Sequence, residues 1–160
     1  MADEVGAPDV PSREGRWRYE LEGRSAAPRE TLWRLVAEVE QWKRWSMLTR
    51  SFLLRPGQAD PNGVGALRRL TVGGLGSTEE VVAYEPPHHL GYEARKGMPA
   101  RRYRADVVLE EDGTGTRIVW TGSLQPLVPG TGWLALAYAR GFVGRFLASL
   151  VRFADSHPEG

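Results

Sequence analysis

The segment from Pro129 to the C-terminus constrains the fold of this chain most. It reads PGTGWLALAYARGFVGRFLASLVRFADSHPEG, and no proline interrupts it between Gly130 and His157. One long helix is therefore allowed. The run is apolar enough to resemble a membrane span, yet Arg140, Arg145 and Arg152 break it up. A span needs about 20 residues with few or no charges. At the ~100° per residue of an α-helix, Ala135, Leu136, Ala139, Phe142, Val143, Phe146, Leu147, Leu150 and Phe153 share one broad face. Arg145, Ser149, Arg152 and Ser156 fall opposite. Such a helix must bury its stripe against a partner surface. Gly141 and Gly144 sit inside it. Each costs about 1 kcal/mol relative to Ala; close approach of a sheet or a local bend would explain them, and simple tolerance of the cost is the alternative.

Upstream the pattern is mostly strand. Trp17, Tyr19 and Leu21 alternate with Arg18, Glu20 and Glu22, the period of a half-buried strand. A helix follows, with Pro28 at its first position, Glu30 near its positive end, and Leu32, Leu35, Val36 and Val39 as its buried stripe. It is expected to end near Glu40, with Gln41 to Trp45 as a separate short turn. Ser51 to Arg55 reads as a short strand, and the PGQADPNGVG stretch as a loop. Five further strands are expected over 66–72, 78–84, 89–95, 102–110 and 116–123. Turn signals at Gly73-Gly74, Glu85 to His88, Lys96 to Pro99 and Asp112 to Gly115 separate them. Strands and helices are segregated, which makes the chain α+β.

Composition excludes several function classes. With 21 basic and 20 acidic residues the formal net charge is +1, so the chain carries no electrostatic footprint for nucleic acid. The absence of cysteine rules out disulfides, thiolate catalysis and cysteine-based zinc sites. The three histidines, His88, His89 and His157, have no metal-ligand spacing. No serine elbow, phosphate-cradling loop or dinucleotide fingerprint occurs. The N-terminal MADEVGAPDVPSREG lacks the basic and apolar regions of a signal peptide. Residues 1–15 are read as a disordered leader, 16–156 as a single domain and 157–160 as a tail. The expected protein is cytoplasmic, without a transmembrane segment, and monomeric or a weak homodimer.

Particular motifs then point to a family. Ala27-Pro28-Arg29-Glu30-Thr31-Leu32-Trp33 opens the first helix, and Trp42 and Trp45 close the first helical pair. Tyr84-Glu85-Pro86-Pro87-His88-His89-Leu90 forms a turn between central strands. Gly115-Thr116-Arg117-Ile118-Val119-Trp120 forms the last strand. In this order, over about residues 16–155, the chain resembles the START-like (SRPBCC) helix-grip superfamily, and within it the polyketide cyclase/dehydrase and lipid-transport group. The resemblance implies a curved antiparallel sheet of about seven strands wrapped around a long C-terminal helix, with two short helices after the first strand. It also implies an elongated apolar cavity. Family roles range from carrying lipids, sterols, quinones or hormones to folding polyketide chains, because function resides in the cavity and not in the fold.

Alternation suggests which side chains meet a ligand. Tyr103 and Val107 share a strand face, as do Ile118 and Trp120, and Tyr92 lies on the inward face of its strand. Phenol and indole donors on an apolar wall would orient a hydrophobic molecule. Ala135, Ala139, Phe142, Val143 and Phe146 form the helix wall, with the cavity beside the helix's first half. Trp45 and Met47 stand near the mouth, and Leu75 and Met98 are further rim candidates. The parity of strand 66–72 stays open: either Leu70 and Val72 or Arg69 and Thr71 face the cavity.

An enzyme would need a positioned acid or base. Glu79 and Glu80 are the weak candidates, since alternation turns one of them inward. A structural ion pair with Arg69 or Arg104 is the milder reading of the same carboxylate. His88 and His89, in a Pro-Pro turn, read as surface residues. Three functions follow. The leading one is a carrier of a small hydrophobic ligand (lipid, isoprenoid, quinone or polyketide-like), with no cofactor. The second is a cyclase or dehydratase-like enzyme shaping a chain in the same cavity. The third is a protein-interaction or membrane-surface module, with Leu134 and Tyr138 as its exposed apolar patch.

Overall fold

A computed structural model describes residues 17–159; the expected leader lies outside the described residues. The order is β1 (Trp17–Ser25), α1 (Arg29–Ala37), a 3-10 turn (Val39–Gln41), α2 (Trp42–Trp45), β2 (Arg50–Arg55), β3 (Leu67–Val72), β4 (Leu75–Glu85), β5 (His89–Lys96), β6 (Ala100–Asp112), β7 (Gly115–Pro126) and α3 (Gly132–Ser156). The strands form one seven-stranded antiparallel sheet in the order β1-β7-β6-β5-β4-β3-β2. Consecutive hairpins build β2 to β7, and β1 returns to pair with β7, Leu21 opposite Trp120. This is the α+β helix-grip architecture expected from the sequence.

Side-chain alternation explains the sheet. In β7, Thr116, Ile118, Trp120, Gly122 and Leu124 are buried while the residues that alternate with them are half-buried. Tyr103, Ala105, Val107 and Leu109 do the same in β6. Gly122 keeps its place in the β7 stripe without a side chain because the Tyr19 ring lies over it, and a Cβ there would overlap that ring. The buried stripe of α3, from Leu136 through Ala139, Val143, Phe146, Leu147 and Leu150 to Ala154, packs against β1, β7, α1 and α2. Length and hydropathy alone would let α3 cross a bilayer; its stripe is instead buried in the grip of the sheet. At its C-terminal end Asp155 accepts hydrogen bonds from Ser25 Oγ (2.6 Å) and the Ala26 amide (2.9 Å), which ties the helix to the end of β1.

Several boundaries differ from the sequence expectation. α1 ends at Ala37, because Glu38 is extended (φ −81°, ψ 106°). Pro28 precedes the helix with ψ 152° instead of occupying its first position, and its carbonyl accepts from the Thr31 and Leu32 amides. β4 starts at Leu75, because Gly73 and Gly74, both at positive φ, make a two-residue turn that pairs Val72 with Leu75. Gly141 and Gly144 are not explained by close approach: nothing lies within 4 Å of a Cβ at 141, and Leu21 stands at 3.9 Å from one at 144.

Candidate functional site

Between the concave sheet and the first half of α3 lies a cavity of about 210 Å³. The helix contributes Tyr138, Ala139, Phe142, Val143 and Phe146. The sheet contributes Leu70 and Val72 from β3, Glu79 from β4, Tyr92 from β5 and Tyr103 from β6. Two hairpins form the rim, one through Leu75 and Gly76, the other through Gly97, Met98 and Pro99. Their tips touch: a Cβ on Gly97, which sits at φ +85°, would overlap the Gly76 carbonyl oxygen.

The inner end is closed by aromatic packing around Trp42. Its ring lies 5.0 Å from Trp45, 5.8 Å from both Trp120 and Phe146, and 6.2 Å from Tyr92. These are the tilted and edge-on arrangements aromatic pairs prefer. The Trp42 and Trp45 indoles donate to the Val36 and Leu35 carbonyls, so the α1–α2 segment holds the plug in place.

One buried ion pair underlies this end. Arg68, with no exposed surface, donates from Nη2 to Glu79 Oε2 at 2.9 Å. Glu79 Oε1 accepts from Ser77 Oγ at 3.2 Å, and Ser77 and Glu79 both line the cavity. The guanidinium carbon stands 4.9 Å from the Trp42 ring and 4.8 Å from the Tyr92 ring. Its Nε and Nη1 have no hydrogen-bond partner; the two neighbouring π faces supply part of the missing stabilisation.

The phenols complete the polar set. Trp120 Nε1 donates to Tyr92 Oη at 3.3 Å, and the Tyr19 and Tyr103 hydroxyls share a buried hydrogen bond. Burial pushes Tyr92 well above the ordinary phenol value, with the charges of Tyr103 and Glu79 acting in the same direction. Burial does the same to Tyr19 and Tyr103. These phenols stay neutral at physiological pH. The site thus combines apolar walls with a carboxylate acceptor and neutral hydroxyls, a set that can orient a hydrophobic molecule bearing one polar end. Among the described residues no cluster could hold a metal ion.

Of the residues expected to meet a ligand, Tyr92, Tyr103, Ala139, Phe142, Val143 and Phe146 line the cavity. The other six do not. Trp45 and Trp120 stand behind Trp42 and buttress it. Val107 and Ile118 are fully buried in the solid core. Ala135 is half-buried outside the lining, and Met47 is exposed away from it. Val107, Ile118 and Trp120 lie on the buried face of their strands, but the aromatic plug fills the volume at their level. Trp42 lines the cavity although the sequence reading does not name it as a ligand contact. The Trp42–Trp45 spacing of three was the available signal for the plug. Leu75 and Met98 are rim residues as expected.

The parity of β3 resolves in favour of Leu70 and Val72, which places Arg68 inward as well. Glu79 is the inward carboxylate, and its partner is Arg68 rather than Arg69 or Arg104. Glu80 turns outward to Arg95 at 3.0 Å. His89 Nε2 donates to Asp106 Oδ1 at 2.8 Å, and His88 Nδ1 donates to the Leu109 carbonyl at 3.0 Å; neither lines the cavity.

A comparison with protein families matches residues 16–156 to the polyketide cyclase / dehydrase and lipid transport family. The chain belongs to that family. Solved structures agree on the fold. The crystal structure of Ara h 8.0201 superposes with a TM-score of 0.69 at 14% identity, covering 89% of this chain and 99% of that one. A protein from Nitrosospira multiformis gives 0.68 at 18% identity, with 84% and 94% covered. XoxI from Bacillus cereus gives 0.72 at 16% identity, with 85% and 94% covered. No curated protein sequence matches the chain. Membership accounts for the helix-grip architecture, and at these identities the structural likeness speaks for the fold alone.

Proposed function

We propose that this protein binds and carries a small hydrophobic molecule in the cavity between its sheet and α3. The observation that carries the reading is a mostly apolar chamber, open at a two-hairpin rim, with Glu79 and Tyr92 as polar groups near its inner end. Its volume of about 210 Å³ lies below the ~300–1,000 Å³ of drug-sized pockets. A compact isoprenoid, quinone or polyketide-like ring system therefore suits it better than a two-chain lipid. Enclosing roughly 200 Å² of apolar ligand surface contributes about 5 kcal/mol before association costs. The reading includes a cytoplasmic protein, monomeric or weakly dimeric. Native mass spectrometry of the purified protein tests the central claim: a co-purified apolar molecule of low mass is expected. A ligand-free protein that also fails to take up any compact hydrophobic probe would overturn it.

The enzymatic reading has one observation of its own, the inward carboxylate of Glu79. Its hydrogen-bond partners are Arg68 and Ser77, so it sits in a structural pair and not beside a tyrosine acid. That arrangement favours carrying over cyclisation or dehydration. The membrane- or partner-facing reading rests on Trp133, Leu134 and Tyr138, which are 64%, 56% and 60% exposed. Tyr138 also lines the cavity, so this patch serves best as the apolar approach to the mouth.

A further inference from the structure

A second concavity lies along the β5–β6 hairpin beside its Gly97–Pro99 tip, the end that also forms part of the chamber rim. β5 and β6 pair only as far as Glu93 opposite Arg104. Beyond that point Ala94 and Lys96 pair with β4, while Tyr103, Arg102 and Ala100 pair with β7. The two strands splay and leave a polar groove of about 370 Å³. Four guanidinium groups line it: Arg95, Arg101, Arg102 and Arg104, against the single carboxylate of Glu93.

A bulge sets the arrangement. The register shifts between Ala100 and Arg102, which leaves Arg101 as the extra residue. In a regular strand Arg101 would share the inward face of Tyr103. The bulge instead exposes it beside Arg102, and both reach the same groove. Arg95 is paired with Glu80 and Glu93, each at 3.0 Å. Arg104 is held by both oxygens of Asp106 at 3.0 and 3.1 Å. Arg101 and Arg102 have no hydrogen-bond or ion-pair partner among the described residues. Two free cations thus stand beside two that are held in fixed orientations.

We propose that this groove binds a phosphate-bearing group. Guanidinium forks match carboxylate and phosphate oxygens alike; two free cations at one groove suit the three acceptor oxygens and near-double charge of a phosphate better than the two oxygens and single charge of a carboxylate. No aromatic face other than Tyr103 borders the groove, and the Tyr103 ring is committed to the interior, so recognition falls on the charged group. The groove shares Tyr103 with the lining of the apolar chamber, but none of its arginines lines that chamber, and the proposal does not rest on the carrier reading. The same chemistry is offered by a soluble phosphorylated molecule and by an anionic phospholipid headgroup.

Titration calorimetry of the full chain with inorganic pyrophosphate tests the first source. Co-sedimentation with phosphatidylcholine vesicles, with and without phosphatidic acid, tests the second. Replacing both free cations, Arg101→Ser with Arg102→Ser, is expected to weaken whichever binding occurs by tenfold or more. Arg24→Ser with Arg55→Ser removes the same charge elsewhere on the surface and is expected to weaken it less than threefold. Arg101→Ser alone, at an exposed bulge residue, gives the same readout should the pair disturb folding. Pyrophosphate binding identifies a soluble phosphate, and binding confined to phosphatidic acid vesicles identifies a headgroup. Binding to neither probe, or equal losses in the groove and control pairs, overturns the proposal.

Discussion

Arg68 and Glu79 face each other across β3 and β4, Nη2 to Oε2 at 2.9 Å, with Arg68 wholly out of solvent and Glu79 forming part of the cavity wall. The pair is register-matched, since Arg68 stands opposite Glu79 in the ladder. A buried ion pair gives little net stability over an apolar pair, because desolvation offsets the Coulomb gain. What it does here is fix a carboxylate at the inner end of an apolar chamber and set the guanidinium against both the Trp42 and the Tyr92 rings.

Breaking one half of this pair should cost far more than replacing both. Arg68→Met leaves Glu79 buried beside an apolar chain and is expected to destabilise the fold by ~3–5 kcal/mol. Arg68→Met with Glu79→Gln should recover most of that loss. Urea unfolding of the two singles and the double measures the coupling. Additive losses would mean that the two residues do not act as a pair.

Cavity and core residues should separate cleanly. Ala139→Leu adds volume on the helix wall and is expected to reduce uptake of a hydrophobic probe by tenfold or more while changing stability by less than ~1.5 kcal/mol. Val107→Ala, in the solid core, should cost ~2 kcal/mol or more and leave probe affinity within twofold. Fluorescent-probe titration together with urea unfolding gives both numbers for each variant. A Val107→Ala protein with impaired uptake but normal stability would reverse the assignment.

The fold was legible in the sequence because its signals are periodic and repeated. Alternation in β6 and β7, turn residues at each hairpin and the one-sided stripe of α3 all point to the same architecture. The site was legible only in part. Strand parity and helix face found Tyr92, Tyr103, Ala139, Phe142, Val143 and Phe146. Depth was not available from either, so Val107, Ile118 and Trp120 were placed in a chamber that the Trp42 plug fills. Arg68 was missed for a different reason. In strand 66–72 the alternation Leu67, Arg68, Arg69, Leu70, Thr71, Val72 offers no clean apolar face, and only the pairing with Glu79 decides which arginine turns inward.

Alkaline stability should report the buried phenols. Tyr19, Tyr92 and Tyr103 are pushed above the ordinary phenol value by burial, and Tyr84 is raised to about 12 by burial and by Asp60. Below the unfolded phenol value of ~10 both states are protonated and stability is unaffected. Above it the unfolded chain loses protons that the folded chain keeps, so stability falls as pH rises toward the folded values. Tyr103→Phe should make the slope of unfolding free energy between pH 10 and pH 11, where the unfolded phenol goes from half to about nine-tenths ionised, shallower by roughly three-quarters of a proton. An unchanged slope would show that Tyr103 ionises as readily in the folded protein as in the unfolded chain.

The glycines of α3 and of the rim hairpin should respond in opposite ways to the same substitution. Gly141 is exposed in a helix interior, and nothing lies within 4 Å of where its Cβ would stand. Gly141→Ala should therefore stabilise the protein by about 1 kcal/mol, through helix propensity and the lower entropy of the unfolded chain. Gly97 sits at φ +85°, and its Cβ would overlap the Gly76 carbonyl. Gly97→Ala should destabilise by at least ~1 kcal/mol and part the two hairpin tips that form the rim. Thermal unfolding gives the sign of each change, and hydrogen exchange at the Ser77 and Met98 amides shows whether the rim has opened. A stabilising Gly97→Ala with unchanged exchange would mean that the tips do not hold each other closed.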